Sequence, residues 1–192
     1  MVTKKRCQWL GDNQLMILYH DKEWGVPVHD DKKLFEFLIL EGAQAGLSWQ
    51  TVLNKRENYR KALHGFNPVK IASYSDRDVK RLLGNSGIIR NRLKITATIE
   101  NAKRFIEIQK EFGSFDFYIW QFVNGKQIKN KFKLLKEILP TTKESDAMSK
   151  DLRKRGFKFV GSTICYAFME AVGMVNDHEV KCFRYNSVTK RK

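Results

Sequence analysis

Two pairs of metal-ligand residues lie at opposite ends of this 192-residue chain. Near its end, NDHEVKCF sets His178 and Cys182 four residues apart, which on a helix puts both on one face. Near its start, RCQWLGDNQLMILYHD holds Cys7 and His20. Two thiolates and two imidazoles together compose a closed, structural zinc site, one ion per chain. A DNA-reading finger keeps its ligands within one short module, unlike these. Here a metal would join the N-terminal segment to the C-terminal one, and closing so long a loop removes denatured-state entropy. A surface imidazole and a buried thiol at each end remain the plainer alternative.

The second anomaly is an acid. In LFEFLILEGAQAGLSWQ, Glu41 ends an apolar run, and helical spacing places it beside Leu34, Phe37 and Leu38. An unpaired carboxylate is costly to bury, so an acid in such company either lines a site or simply reaches water at a helix end. Trp9, Tyr19, Trp24 and Trp49 share the first quarter of the chain with it. Aromatic walls around one acid suit a flat ligand that is electron-poor or cationic. An ordinary aromatic core explains the rings equally well, and the acid less well.

A third pattern is KDLRKRGFKFVGSTICYAF, which reads as helix, tight hairpin, helix over about 145–172. Gly156 and Gly161 bracket the turn, Lys154, Arg155 and Lys158 surround it, and the amides opening the second helix are available to phosphate. That is a sequence-independent grip on a DNA backbone. An αα-hairpin with a solvated basic turn gives the same pattern.

The elements that must position these groups are helical. Asp30 and Asp31 cap a helix ending near Gly46, and a second starts at about Ser48. Ser75 caps a short third, and apolar spacing from Ile88 predicts one long amphipathic helix ending near Gly113. Phe115 to Phe122 form a short aromatic helix, Ser145 opens the first arm of the hairpin, and Asn176 or Asp177 caps a last helix. Residues 124–140 are basic and irregular, the one candidate for a long functional loop. No strand alternation and no repeat is visible, so the fold class is all-α, one domain of two helical lobes, with basic tails at about 1–6 and 186–192.

Lys and Arg total 36 against 21 Asp and Glu, a formal charge of +15, so a polyanion and above all nucleic acid is the expected partner. No apolar stretch has the length of a signal peptide or a membrane span. Three cysteines, with Cys165 the third, do not make a disulfide framework, so a reducing, cytoplasmic setting is expected.

The stretches RCQW, YHDKEWGVP, LFEFLILEGAQAGLSWQTVLNKRENY, GIIRNRLKI, Met148 to Tyr166 and GMVNDHEVKCF together resemble the 3-methyladenine DNA glycosylase I family. That family belongs to the helix–hairpin–helix glycosylase superfamily. The resemblance runs from Cys7 to Phe183. It implies that Cys7, His20, His178 and Cys182 bind zinc. It implies that Glu41 contacts the polar edge of a flipped base and is the catalytic residue, with Tyr19, Trp24, Trp49 and Trp9 shaping the pocket. Met16 stands where many relatives carry an aromatic. Asn176 takes the place of the superfamily's catalytic Asp, with Asp177 read as a cap. The partners implied are double-stranded alkylated DNA and the flipped 3-methyladenine base, handled by a monomer away from membranes.

The chemistry implied is hydrolytic release of the base without strand cleavage, since no lysine stands out as a Schiff-base nucleophile. A non-enzymatic, zinc-stapled DNA-binding module is the rival reading. A zinc hydrolase is disfavoured because four Cys and His ligands leave no open coordination position.

Overall fold

The computed structural model describes residues 4–188. Its helices, in chain order, are α1 (Gln14–Lys22), α2 (Asp31–Gln44), α3 (Trp49–Ala62), α4 (Pro68–Ala72), α5 (Asp76–Leu83), α6 (Arg92–Phe112), α7 (Phe115–Trp120), α8 (Lys143–Lys154) and α9 (Ser162–Ala171). Helix starts follow local chemistry. Asn13, Asp30, Ser48, Asn67, Asn91, Ser114 and Thr142 each accept a hydrogen bond from a first-turn N–H.

Helix α2 runs through the middle, apolar on every side, with Leu34 to Ala43 all buried. It packs against α3, α6, α7 and α9, and α6 and α7 also pack on each other. The aromatic interior around α2 stacks Phe105 on Phe115 and sets Phe35 edge-on to Phe105. A helix buried all round has no solvent face for its acids. Its Glu36 is answered by Arg56 Nε and Arg60 Nη2, each at 2.6 Å. Burial opposes ionisation there, but Arg56 and Arg60 outweigh it and hold the carboxyl below its usual range.

Four expectations need correction. Helix α6 begins at Arg92, not Ile88, because Asn91 caps it by accepting from Lys94 N–H; Ile88 and Ile89 belong to the preceding turn. Helix α8 opens under Thr142 instead of Ser145, in a reciprocal cap where Thr142 N–H donates to Ser145 Oγ at 2.8 Å. No helix follows α9 among the described residues. Instead Val175–Asn176 forms a strand, β2, paired in parallel with β1 (Ile128–Lys129). His178 and Cys182 therefore meet through successive turns and not along a helix face. Finally, the terminal segments are not loose where they are described: Arg6 makes a bidentate pair with Asp21, Phe183 N–H donates to Lys5 O, and Val188 is buried. The rest of the expected tails, residues 1–3 and 189–192, lies outside the described residues. No helix of the described chain is long and apolar enough to cross a membrane.

Candidate active site and metal cluster

Cys7, His20, His178 and Cys182 are all buried, with their ligand atoms within 4.8 Å of one another. Cys7 Sγ lies 3.5 Å from His178 Nδ1, and Cys182 Sγ lies 3.5 Å from His20 Nε2 and 3.6 Å from His178 Nδ1. A tetrahedral ion with bonds of ~2.3 Å to sulfur and ~2.0–2.1 Å to nitrogen separates its S and N ligands by about 3.5 Å. The three separations match that figure, and the cluster could hold a metal ion.

The surroundings fix which ring atoms face the centre. His20 Nδ1 sits 2.9 Å from Asp21 Oδ1, leaving Nε2 inward; His178 Nε2 sits 3.1 Å from Trp24 O, leaving Nδ1 inward. Arg6 beside Asp21 holds that carboxyl down at about 2, so it stays an acceptor. Backbone N–H groups of Glu179 and Arg184 donate to the sulfurs of Cys7 and Cys182, each at 3.4 Å. The neighbouring thiols act on each other, depressing that of Cys182 and raising that of Cys7; a divalent cation would take up both as thiolates. Gly25 closes the cage. Its φ is +75°, and a Cβ there would meet His178 Cδ2 at 3.2 Å.

The same segments carry the aromatic walls. Trp9 follows Cys7 by two positions and Tyr19 precedes His20. Trp24 meets the His178 ring edge-on at 4.6 Å and Trp9 meets Trp24 at 5.0 Å, both T-shaped, while Tyr19 tilts against Trp49 at 5.3 Å. Holding the four ligands together therefore also holds the walls. They surround a cavity of about 300 Å³, at the small end for a ligand pocket. Trp9, Met16, Tyr19, Trp24, Glu41 and Trp49 line it, with Met16 at the wall position where an aromatic is expected in many relatives. Gln44, Leu135, Ile138, Ala167 and Glu170 line it too, and sequence reasoning missed these.

Glu41 is 2% exposed, and its Oε2 has no hydrogen-bond partner among the described residues. Burial pushes its carboxyl up to about 8, against the pull of Arg56. Glu36 lies five positions earlier on the same helix and has two arginines; Glu41 has none in contact. The pocket's Trp9 and Trp49 indole N–H groups are likewise buried without a partner. One acceptor and two donors thus stand ready within an aromatic box. Glu170, partly buried on α9, is held well above its usual range by burial and by the neighbouring Asp177. Asp177 is not a helix cap. It is buried, accepting from Tyr166 Oη at 2.6 Å and Asn130 Nδ2 at 2.7 Å. Asn176 accepts from His178 N–H and donates to Tyr185 O.

The hairpin between α8 and α9 is docked beside the pocket. A Cβ on Gly42, next to Glu41, would touch Phe159 Cβ at 3.4 Å, and Asn101 ties down the turn through Lys158 N–H and O. Gly156 has φ +93° against Arg104, and Gly161 is the N-cap of α9, which has no side-chain cap. Lys154 and Lys158 are exposed at the turn. Arg155 is not available in the same way: it pairs with Glu111 and Asp151 and lies over the Phe112 and Tyr118 rings. Arg153 is exposed at the turn, and its Nη2 would lie 3.2 Å from a Cβ on Gly161. Lys94 Nζ caps the end of α2 through Ala43 O at 2.8 Å and Ala45 O at 2.6 Å, and does not line the pocket.

The comparisons with known proteins agree with this geometry. The family model described as methyladenine glycosylase matches residues 9–185. The chain is 53% identical to DNA-3-methyladenine glycosylase 1 of Escherichia coli K12 over 181 residues, 94% of this chain and 97% of that one. It is 50% identical to DNA-3-methyladenine glycosylase of Haemophilus influenzae over 177 residues, covering 92% of this chain and 96% of that one. A crystal structure of 3-methyladenine DNA glycosylase I superposes with a TM-score of 0.91 at 52% identity, covering 93% of this chain and 98% of that one. By sequence and fold alike, the chain belongs to the methyladenine glycosylase family.

Proposed function

We propose that the chain is a DNA-repair glycosylase that takes 3-methyladenine out of alkylated duplex DNA and releases it by hydrolysis. The observation that carries this reading is Glu41: a carboxylate with an unpartnered oxygen, buried among Trp9, Tyr19, Trp24 and Trp49. Methylation at N3 leaves the base cationic. Each aromatic wall then contributes ~0.5–2 kcal/mol of cation–π attraction that neutral adenine does not receive. Glu41 accepts from the exocyclic amino group, and the free indole N–H groups of Trp9 and Trp49 face the ring nitrogens that accept. A cation also favours the ionised form of Glu41, so base and acid select one another.

The reaction asks little more of the protein. Water forms a bond to C1′ of the sugar as the C1′–N9 bond breaks. The bonding pair passes to the base and cancels its positive charge, and the water gives up a proton to solvent. A charged leaving group needs no general acid, so the pocket's work is to extrude the base, orient it and exclude normal adenine. Lys94 is committed to carbonyls and stands outside the pocket, which supports hydrolysis without Schiff-base strand cleavage.

The metal is zinc in this reading, held by Cys7, His20, His178 and Cys182. Bound there it supplies no catalytic water, because four protein ligands fill a tetrahedron. It fixes Trp9 and Trp24 as pocket walls. Lys154 and Lys158, with the uncapped start of α9, grip phosphates of the duplex from the hairpin. The test is to incubate the purified protein with methylated duplex DNA and analyse what is released. Free 3-methyladenine with an unbroken strand is expected. Tight DNA binding with no base released would leave a binding module instead.

A further inference from the structure

The pocket and the hairpin leave the basic loop unexplained. Between 126 and 139 the chain carries Lys126, Lys129, Lys131, Lys133 and Lys136, all exposed, and a single acid, Glu137. Glu137 Oε2 accepts from the N–H groups of Lys133 at 2.6 Å and Leu134 at 3.3 Å, so it shapes its own turn. At its root the loop is built onto the metal-ligand segment. Ile128 and Lys129 pair with Val175 and Asn176, Asn130 Nδ2 donates to Asp177, and Val180 N–H donates to Phe132 O at 2.9 Å. At its tip Leu135 and Ile138 form part of the pocket wall.

We propose that this loop is a second DNA-binding element, gripping the phosphates of the strand that carries the flipped nucleotide. The inference rests on the glycosylase reading. An extruded nucleotide stays tied to its strand, so the phosphates on either side of it must lie at the rim of the pocket. Leu135 and Ile138 make part of that wall, and Lys133 and Lys136 stand within two residues of them. The hairpin reaches the pocket through α9. Its turn opens α9 at Ser162, and the same helix reaches the pocket at Ala167 and Glu170, up to ~12 Å further along. A strand gripped by the hairpin at one end therefore crosses the pocket mouth toward the loop. The partner is a polyphosphate backbone because one stretch carries five lysines against one acid: Lys129 Nζ is taken up by Asn186 Oδ1 at 2.8 Å and the Tyr185 ring, and the single charge of Glu137, which acts on Lys133 and Lys136, leaves the loop strongly positive.

The test compares two triple variants of equal charge change, Lys131→Gln/Lys133→Gln/Lys136→Gln and Lys61→Gln/Lys70→Gln/Lys80→Gln. Affinity for undamaged duplex is measured against salt for both and for the unaltered protein. The loop variant should flatten the slope of log K against log salt by about 2–3 and lower duplex affinity at least tenfold at moderate salt. The second triple should change either far less. Metal content and binding of free 3-methyladenine report that the loop variant is folded with its pocket formed. An unchanged slope in the loop variant overturns the proposal, as does equal flattening in both triples, which would make net charge the cause. Absence of base release by the unaltered protein would refute the glycosylase reading instead, and is scored separately.

Discussion

Replacing Glu41 by Gln should change how stability depends on pH, in a direction that burial dictates. In the folded protein the carboxyl is pushed up to about 8, against a usual value of 4.5. Between those values the unfolded chain has released this proton while the folded chain keeps it. The folded state then binds more protons, so stability falls as pH rises through the window and levels off above about 8. At ~1.36 kcal/mol per pH unit, Glu41 takes roughly 4 kcal/mol of stability away by pH 7.5 that it does not take away at pH 4.5. Gln does not titrate. Its cost as a buried amide is an offset of ~1–3 kcal/mol that is the same at every pH. Every other titrating group is common to both proteins, so the difference between two stability curves isolates Glu41. Urea unfolding of metal-loaded protein at intervals from pH 5.5 to 7.5 makes the measurement. The Glu41→Gln variant should gain about 2.5 kcal/mol on the parent across that range. Parallel curves would mean that Glu41 is solvated, and the argument from its burial would fall.

Other consequences are as direct. Purified protein should contain one zinc per chain, and Cys182→Ser should lose it together with several kcal/mol of stability, measured by metal analysis and thermal unfolding; full zinc retention would argue against this ligand set. Gly25→Ala forces a side chain into φ +75° and against His178, so it should cost ~1–2 kcal/mol in backbone strain and weaken metal retention under chelator. Neutralising Lys154 and Lys158 at the hairpin should weaken binding to damaged and undamaged duplex about equally and flatten the salt slope by ~2. A loss confined to damaged DNA would place those lysines in base recognition.

Much of this architecture is legible in the chain because its signals are local. Asp30, Ser48 and Ser75 stand where helices begin, and the apolar run that ends at Glu41 falls within α2. Cys7, His20, His178 and Cys182 are readable as a set because few other residues can complete a four-ligand site. The route by which they meet is not readable. His178 and Cys182 suggest a helix by spacing, but β2 pairs in parallel with β1, more than forty residues earlier in the chain, and short-range pattern cannot report such a contact. The same holds for Leu135 and Ile138, two apolar residues in a basic loop that gain meaning only once the loop folds over the pocket. Arg155 misleads for the opposite reason: it looks free beside Lys154, yet Glu111 and Asp151 claim it. Glu41 and Glu36 look alike in the sequence, and only the placement of Arg56 and Arg60 separates the paired acid from the one whose Oε2 has no partner among the described residues.

The central claim is that Glu41 reads the flipped base, and single-turnover excision tests it most directly. Folded, zinc-loaded wild type and Glu41→Gln are each mixed in excess with duplex DNA carrying 3-methyladenine, and released base is followed with time. Gln keeps the size of the side chain but removes the charge and exchanges one acceptor for a donor. Loss of one charge-assisted hydrogen bond costs ~1.5–3 kcal/mol, so excision should slow by roughly ten- to a hundredfold while affinity for undamaged duplex is unchanged. Equal excision rates for the two proteins would contradict the account.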